Sequence, residues 1–280
     1  MLPMKRVLGS LFKRLRSRSA AAPSVANADL RGIVVDATGS TVYGDPTRSH
    51  RARPSASIGL ATHGGTADAD ALTIRLARHR HLSDGARVLV ERRFAWRGYE
   101  VRGISEDPNL RTFGAYRGGH IAGTLSVRID SAKGLSADRH YKLEIDSLRA
   151  RGGRLSEFTR LAVDDRAYSA KVMGTLIHTA FIYLREVCKC DYAVFEVNPR
   201  HTLYYERGLF CERMGPQRMN ERVKAPSVLL CMTLQRTAAE AAKCFAGPER
   251  PRSSRSAFAH WFPPREAADV LARLRALDYP

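Results

Sequence analysis

The stretch from Leu155 to Val197 constrains the fold more than any other part of the chain. Leu155–Val163 reads as a strand closed by the paired acids Asp164-Asp165. From about Tyr168 to Val187 the apolar residues Val172, Leu176, Ala180, Leu184 and Val187 recur at helical spacing. Asp191–Val197 (DYAVFEV) is then apolar enough for a buried strand. A strand, a long helix and a second buried strand fit a mixed sheet flanked by helices, the α/β (α+β) class.

The neighbouring segments extend that reading. Leu72–Leu76 alternates as a strand, and Asp84 precedes a helical stretch from Ala86 to about Trp96. Thr112–Tyr116 and His120–Arg128 form two strands joined by Arg117-Gly118-Gly119, a short hairpin. Asp138 is placed to cap a helix through Leu143, Ile145 and Leu148. His201–Arg207 is a short helix and Ser227–Leu234 an apolar strand. Beyond Arg236 come a weak helix at Thr237–Phe245 and a final one from about Pro264 to Leu277.

The boundaries follow from composition. Residues 71–235 carry the regular pattern, and 236–280 form a helical extension. Residues 19–70, rich in Ala, Ser, Gly, Thr and Pro, read as a mostly flexible linker in which Gly32–Val35 alone is strand-like. Residues 1–18 have Leu2, Val7, Leu8, Leu11, Phe12 and Leu15 on one helical face and Lys and Arg outside it. That segment is either a basic amphipathic helix for an anionic membrane or a soluble tail.

The chain of 280 residues is 44% hydrophobic and has a formal charge of +18. So basic a surface suits an acidic partner, or reflects an Arg-rich composition. No helix-turn-helix, zinc finger or aromatic RNA-binding motif accompanies the charge, so no specific nucleic acid is expected. Cys188-Lys189-Cys190 is poor spacing for zinc or a redox pair, and no metal site is expected. Neither a secretory h-region nor a membrane span is read, so the expected location is cytoplasmic, with peripheral contact at the inner membrane surface through residues 1–18.

Three blocks carry a family likeness: Arg154-Leu155-Ser156-Glu157-Phe158-Thr159-Arg160; Phe195-Glu196-Val197-Asn198-Pro199-Arg200-His201 with Tyr204-Tyr205-Glu206-Arg207-Gly208; and Val223-Lys224-Ala225-Pro226-Ser227-Val228-Leu229-Leu230. In this order the chain resembles GNAT acyltransferases, and within them the N-acyl amino acid synthases, which are similar in fold to acyl-homoserine-lactone synthases. The resemblance implies a GNAT-like fold over roughly 71–235. It also implies transfer of a long-chain fatty acyl group from acyl carrier protein to an amino acid amine, in a bacterial setting. The alternatives are an acyl-homoserine-lactone-type autoinducer synthase, an acetyl-CoA-dependent N-acetyltransferase, or a basic nucleic-acid-binding protein.

The donor can be argued from one loop. GNAT enzymes hold the coenzyme A pyrophosphate on a Gly-rich turn at a helix N-terminus. Here the stretch Val163–Gly174 keeps only Gly174, late, behind Asp164 and Asp165. This favours acyl-phosphopantetheine on acyl carrier protein over acyl-CoA, with no permanently bound cofactor. Lys171, Arg185 and Lys189, on or beside the long helix, are candidates to dock the acidic carrier.

Aminolysis of a thioester needs a neutral amine, so a base beside an incoming ammonium helps. Glu157 is the candidate base; a structural ion pair with Arg160 is the alternative. Strand alternation separates Glu157 from Arg160 unless a bulge realigns them. Arg160 suits the acceptor's carboxylate. The resemblance points to Arg92 or Arg93 as a further functional Arg, and to Tyr205, with Tyr204 beside it, as the acid for the leaving thiolate. His201 is a second candidate base, and Phe94 and Trp96 line a pocket or belong to the core. Asn198 and Pro199 suit the start of the following helix.

Overall fold

The computed structural model describes residues 34–35, 41–42, 57–59, 72–77, 107–117, 120–164, 169–221, 223–246 and 257–278. The segment 1–18, the helix expected over 86–96 and the hairpin glycines Gly118 and Gly119 lie outside them.

Alternating apolar residues build one sheet. Its strands are β1 (Val34–Val35), β2 (Thr41–Val42), β3 (Ser57–Gly59), β4 (Leu72–Ala77), β5 (Leu110–Arg117), β6 (His120–Ile129), β7 (Leu155–Val163), β8 (Tyr192–Val197), β9 (Glu212–Arg213), β10 (Arg218–Asn220) and β11 (Ala225–Thr233). Among the described residues the order is β10-β11-β8-β7-β6-β5-β4-β3-β1-β2, with β9 also on β11. β5 and β6 pair antiparallel as a hairpin. β7 and β8 pair parallel, as a long intervening helix requires. Strands β1, β2 and β3 add a short edge from within the segment that reads as linker.

Successive residues of a strand face opposite sides of the sheet. On β8, Val194 accordingly joins Tyr141, Ile145 and Leu148 of helix α1 (Asp138–Ala150), while Phe195 joins the core on the other side. On β11, Leu229 and Leu230 divide the same way. The second face is covered by α2 (Ser169–Ile182), α3 (Thr202–Leu209), α4 (Leu234–Ala246) and α5 (Pro264–Asp278).

Helix α1 departs from the capping expected for it. Asp138 is its first residue rather than its cap, and Ala137 stands at the cap with no side-chain bond. The Asp138 carboxylate instead accepts the Leu135 N–H at 2.6 Å and two bonds from Arg149. Arg149 also binds Asp130, so one guanidinium clamps both ends of the helix to the exit of β6. Burial works to raise the Asp138 carboxyl, but Arg149 and the Leu135 N–H outweigh it and hold it below its ordinary value.

The opposite face is closed by the C-terminal segment. Phe258, Trp261 and Phe262 are buried against α2. His178 of α2 stacks on Trp261 with centroids 4.2 Å apart, and its Nδ1 accepts the Phe262 N–H at 2.9 Å. Burial lowers the His178 pKa to about 3, so the ring is neutral and able to accept. Gly174 serves this contact: a Cβ there would stand 2.6 Å from the His260 Cβ. α2 continues into one wide π turn, Tyr183–Val187, before β8.

Candidate active site

The site begins where the central pair of strands comes apart. β7 and β8 are joined at Leu155↔Tyr192, Ser156↔Ala193 and Glu157↔Val194, and no further ladder pair connects them. β7 runs on to Val163 against β6, and β8 runs on to Val197 against β11. A gap therefore opens in the middle of the sheet just past Glu157.

A bulge is present at that gap, beginning at Arg160 rather than between Glu157 and Arg160. Ser126 faces Thr159 and Thr124 faces Ala162, so Arg160 and Leu161 together oppose the single residue Leu125. Arg160 takes a φ of +55°, which a residue with a Cβ seldom adopts. Such conformations concentrate at functional sites, where the surroundings hold them in place.

Glu157 is 3% exposed. Its Oε2 accepts the Ser136 N–H at 2.7 Å, from the turn leading into α1. Arg128, its register partner on β6, brings Nε to 3.9 Å and also pairs with Asp107. Burial pushes the Glu157 carboxyl up; the Ser136 bonds and Arg128 oppose this, and the nearby Glu196 charge reinforces it. A carboxylate raised in this way is suited to accept a proton.

Glu196 of β8 stands on the same side of the sheet as Val194, under α1. Its Oε2 accepts bonds of 2.8 Å from Asn220 Nδ2 and from Ser227 Oγ. Its Oε1 lies 3.4 Å from His140 Nδ1 on α1. The Tyr141 hydroxyl donates to the Ser227 carbonyl at 2.8 Å, and the Arg218 guanidinium lies over the Tyr141 ring. Glu157, Glu196 and His140 thus gather around the opening on the α1 face.

The aromatic residues lie on the other face. Phe195 contacts Phe158 at 5.7 Å and Tyr205 at 5.1 Å, and Tyr204 stands edge-on to Tyr205. Burial pushes the Tyr204 phenol up to about 12 and raises that of Tyr205 as well. Both stay protonated at neutral pH and present an O–H. Tyr205 and Glu157 therefore sit on opposite faces of the sheet, with the gap between β7 and β8 separating them.

The other candidates divide. Asn198 caps the turn Pro199–His201 by accepting the Arg200 N–H, and Pro199 opens it, as the sequence suggests. His201 Nε2 accepts from Arg200 Nε at 3.2 Å, which occupies the lone pair that a base would need. Arg92, Arg93, Phe94 and Trp96 lie outside the described residues. The structure does not bring the three docking candidates together. Lys171 is exposed near the start of α2, whereas Arg185 and Lys189 follow its end, about 20 Å away at the helical rise. Both of the latter also pair with Glu186. Only the Lys171 end adjoins the exit of β7, where the gap opens.

Sequence reasoning missed His140, Glu196, Asn220 and Ser227. Glu196 did carry a signal: an acid inside the apolar run Ala193-Val194-Phe195-Glu196-Val197 must be solvated by something. His140 lies in the polar stretch Asp138–Glu144 and gives no such sign.

The model of the N-acyl amino acid synthase family FeeM matches residues 85–233. Among solved structures, FeeM, an N-acyl amino acid synthase from uncultured soil microbes, is 25% identical, covers 60% of this chain and 93% of that one, and gives a TM-score of 0.55. An acyl-CoA N-acyltransferase from Pseudomonas aeruginosa is 13% identical over 57% of this chain and 99% of that one, at a TM-score of 0.43. The CoA-dependent acyl-homoserine lactone synthase BjaI is 14% identical over 66% and 96%, at 0.42. No curated protein sequence matches the chain. The mixed sheet and its likeness to FeeM give a GNAT-like fold, and the family match makes the protein an acyltransferase. Within that class, the chain belongs to the N-acyl amino acid synthase family.

Proposed function

We propose that the protein transfers a long-chain fatty acyl group from acyl carrier protein to the amine of a free amino acid, forming an N-acyl amino acid. The observation that carries this reading is the gap opening at buried Glu157, between a proton-accepting face and an aromatic, O–H-bearing face. A phosphopantetheine arm laid in the gap would bring its thioester between the two. On the α1 face, Glu157 and Glu196 attract the acceptor's ammonium, and loss of its proton frees the lone pair. The nitrogen then bonds to the carbonyl carbon, the C–S bond breaks, and the Tyr205 O–H lies on the thiolate's side. Arg160, on the bulge, is the group for the acceptor's carboxylate.

Two features favour a carrier protein over coenzyme A. The only glycine in the Val163–Gly174 stretch is used against His260, away from any phosphate. The formal charge of +18 complements the acidic surface on which a carrier protein presents its arm. Lys171 is the docking candidate nearest the gap. Residues 1–18 would hold the enzyme at an anionic membrane surface, beside its lipid product.

The test is product analysis by mass spectrometry. The purified protein is supplied with long-chain acyl carrier proteins or acyl-CoAs and with the common amino acids. An N-acyl amino acid should form from the carrier donor, and Glu157→Gln should reduce kcat/KM by about 10²–10⁴-fold. Equal use of acyl-CoA would refute the donor assignment. The absence of amide product with every donor would refute the reading as a whole.

A further inference from the structure

We infer that His140, oriented by Glu196, is a catalytic residue that takes the proton from the acceptor's ammonium through its Nε2. The inference rests on the reading of an amine acceptor given above, and adds a residue that neither the family likeness nor the sequence motifs point to.

Three observations meet at this ring. First, the contact between His140 Nδ1 and Glu196 Oε1 suits the tautomer that donates from Nδ1, the one in which Nε2 carries the lone pair. Second, Glu196 is fixed before any substrate arrives. Asn220 and Ser227 both donate to its other oxygen, and Ser227 is itself tied to Tyr141 on α1. Third, Nε2 is buried and finds no hydrogen-bond partner among the described residues. Leaving a buried polar atom unsatisfied costs stability. Beside a site that has to bind a substrate, such an atom is free to take a proton from it.

Position supplies the rest. Ser136 lies in the turn that leads into α1 and His140 in its first turn. Ser136 touches Glu157 on β7, and His140 touches Glu196 on β8. The entry to α1 therefore touches both strands close to where they part. The Nδ1 contact of 3.4 Å is long for a hydrogen bond, and catalytic bonds of this kind tighten when substrate binds.

The proton balance closes. His140 Nε2 receives one proton from the ammonium, and the free amine attacks the thioester carbon. When the C–S bond breaks, the thiolate takes up one of the two protons left on nitrogen, the other stays as the amide N–H, and the imidazolium later releases its proton to solvent. One amide, one thiol and one proton result. Glu196 stabilises the imidazolium, and Glu157 adds negative charge at the place where the ammonium arrives.

The experiment compares His140→Gln, His140→Ala and Glu196→Gln with wild type across pH 7 to 9, using the donor and acceptor pair identified by product analysis. His140→Gln should lose about 10²–10³-fold in kcat/KM at pH 7. The deficit should shrink as pH rises, because more of the acceptor arrives already neutral. The groups around the ring that also set this profile are Glu196 on β8, Glu157 on β7, Arg128 on β6, Arg218 on β10 and Tyr141 and Glu144 on α1. Added imidazole should restore part of the activity of His140→Ala, which a purely structural role would not allow. Glu196→Gln should lose about tenfold. If His140→Gln stays within threefold of wild type, or if its deficit is flat with pH and imidazole does nothing for His140→Ala, the inference is overturned. Wild type that makes no amide would instead sink the functional reading on which it rests.

Discussion

The two faces of the sheet are built on opposite principles. Under α2 the chain buries Phe113, Phe258, Trp261 and Phe262 and keeps even a histidine neutral. Under α1 it buries Glu157 and gathers Glu196, His140, Arg128 and Asp107 around the gap. Apolar burial contributes about 25 cal/mol per Å² to stability, whereas a buried charge costs free energy unless its partners offset it. The α2 face therefore holds the fold together, and the α1 face draws on that stability to keep reactive groups dehydrated. The parallel pair β7–β8 is the seam between them.

Variants can break or sharpen this contrast. The largest effect should come from Trp261→Ala, at about 3–5 kcal/mol of unfolding free energy. Denaturant titration measures it, and the folded fraction should keep its kcat. Gly174→Ala forces a methyl against His260 and should cost about 1–3 kcal/mol, again without changing kcat. A loss of kcat in the folded fraction of either variant would show that the two faces are coupled.

The α1 face should respond to acid. Asp107, Asp138 and Glu144 are all held below their ordinary values, the first two despite burial and the third chiefly by Arg218. Groups depressed in this way stabilise the fold fully above the ordinary carboxyl range and stop doing so as pH falls below about 4. Arg149→Leu should lose about 1–2 kcal/mol at pH 7, and the difference from wild type should fade in acid. Glu157 has the opposite sign. Its raised pKa means that the charged form subtracts stability as pH rises. Glu157→Gln should therefore raise Tm by about 2–4 °C at pH 7 while removing activity. A fall in Tm would mean that Glu157 is a structural ion-pair partner of Arg128.

Legibility in the sequence follows the same division. β7, α2, β8 and β11 announce themselves because their apolar periods are long and uninterrupted. The bulge at Arg160 could be anticipated because alternation alone sets Glu157 and Arg160 on opposite faces. Contacts made by distant segments were not visible. Trp261 sits in a Pro- and Arg-containing stretch, and nothing local says that it will stack on His178. Strands β1 and β2 span two residues each, too few to show a period. His140 becomes meaningful only once β8 places Glu196 beside it. Nearness in sequence to α2 does not make Lys171, Arg185 and Lys189 one patch, because a helix carries its two ends apart.

Trp261, Val270 and Leu274 complete the core from the far end of the chain, and this bears on how the protein is made. A ribosome delivers the sheet and α2 first, and the cover for α2, Phe258 to Leu274, only after α4 has ended at Ala246. Domains form from the N-terminal side as synthesis proceeds, and apolar surface left open in the meantime is prone to aggregate. A nascent chain interrupted near Ala246 would carry the seam and the reactive groups but not the cover, and would be a natural client for chaperones and proteases. Quality control would thus read the presence of the last helix before any acyl group is transferred.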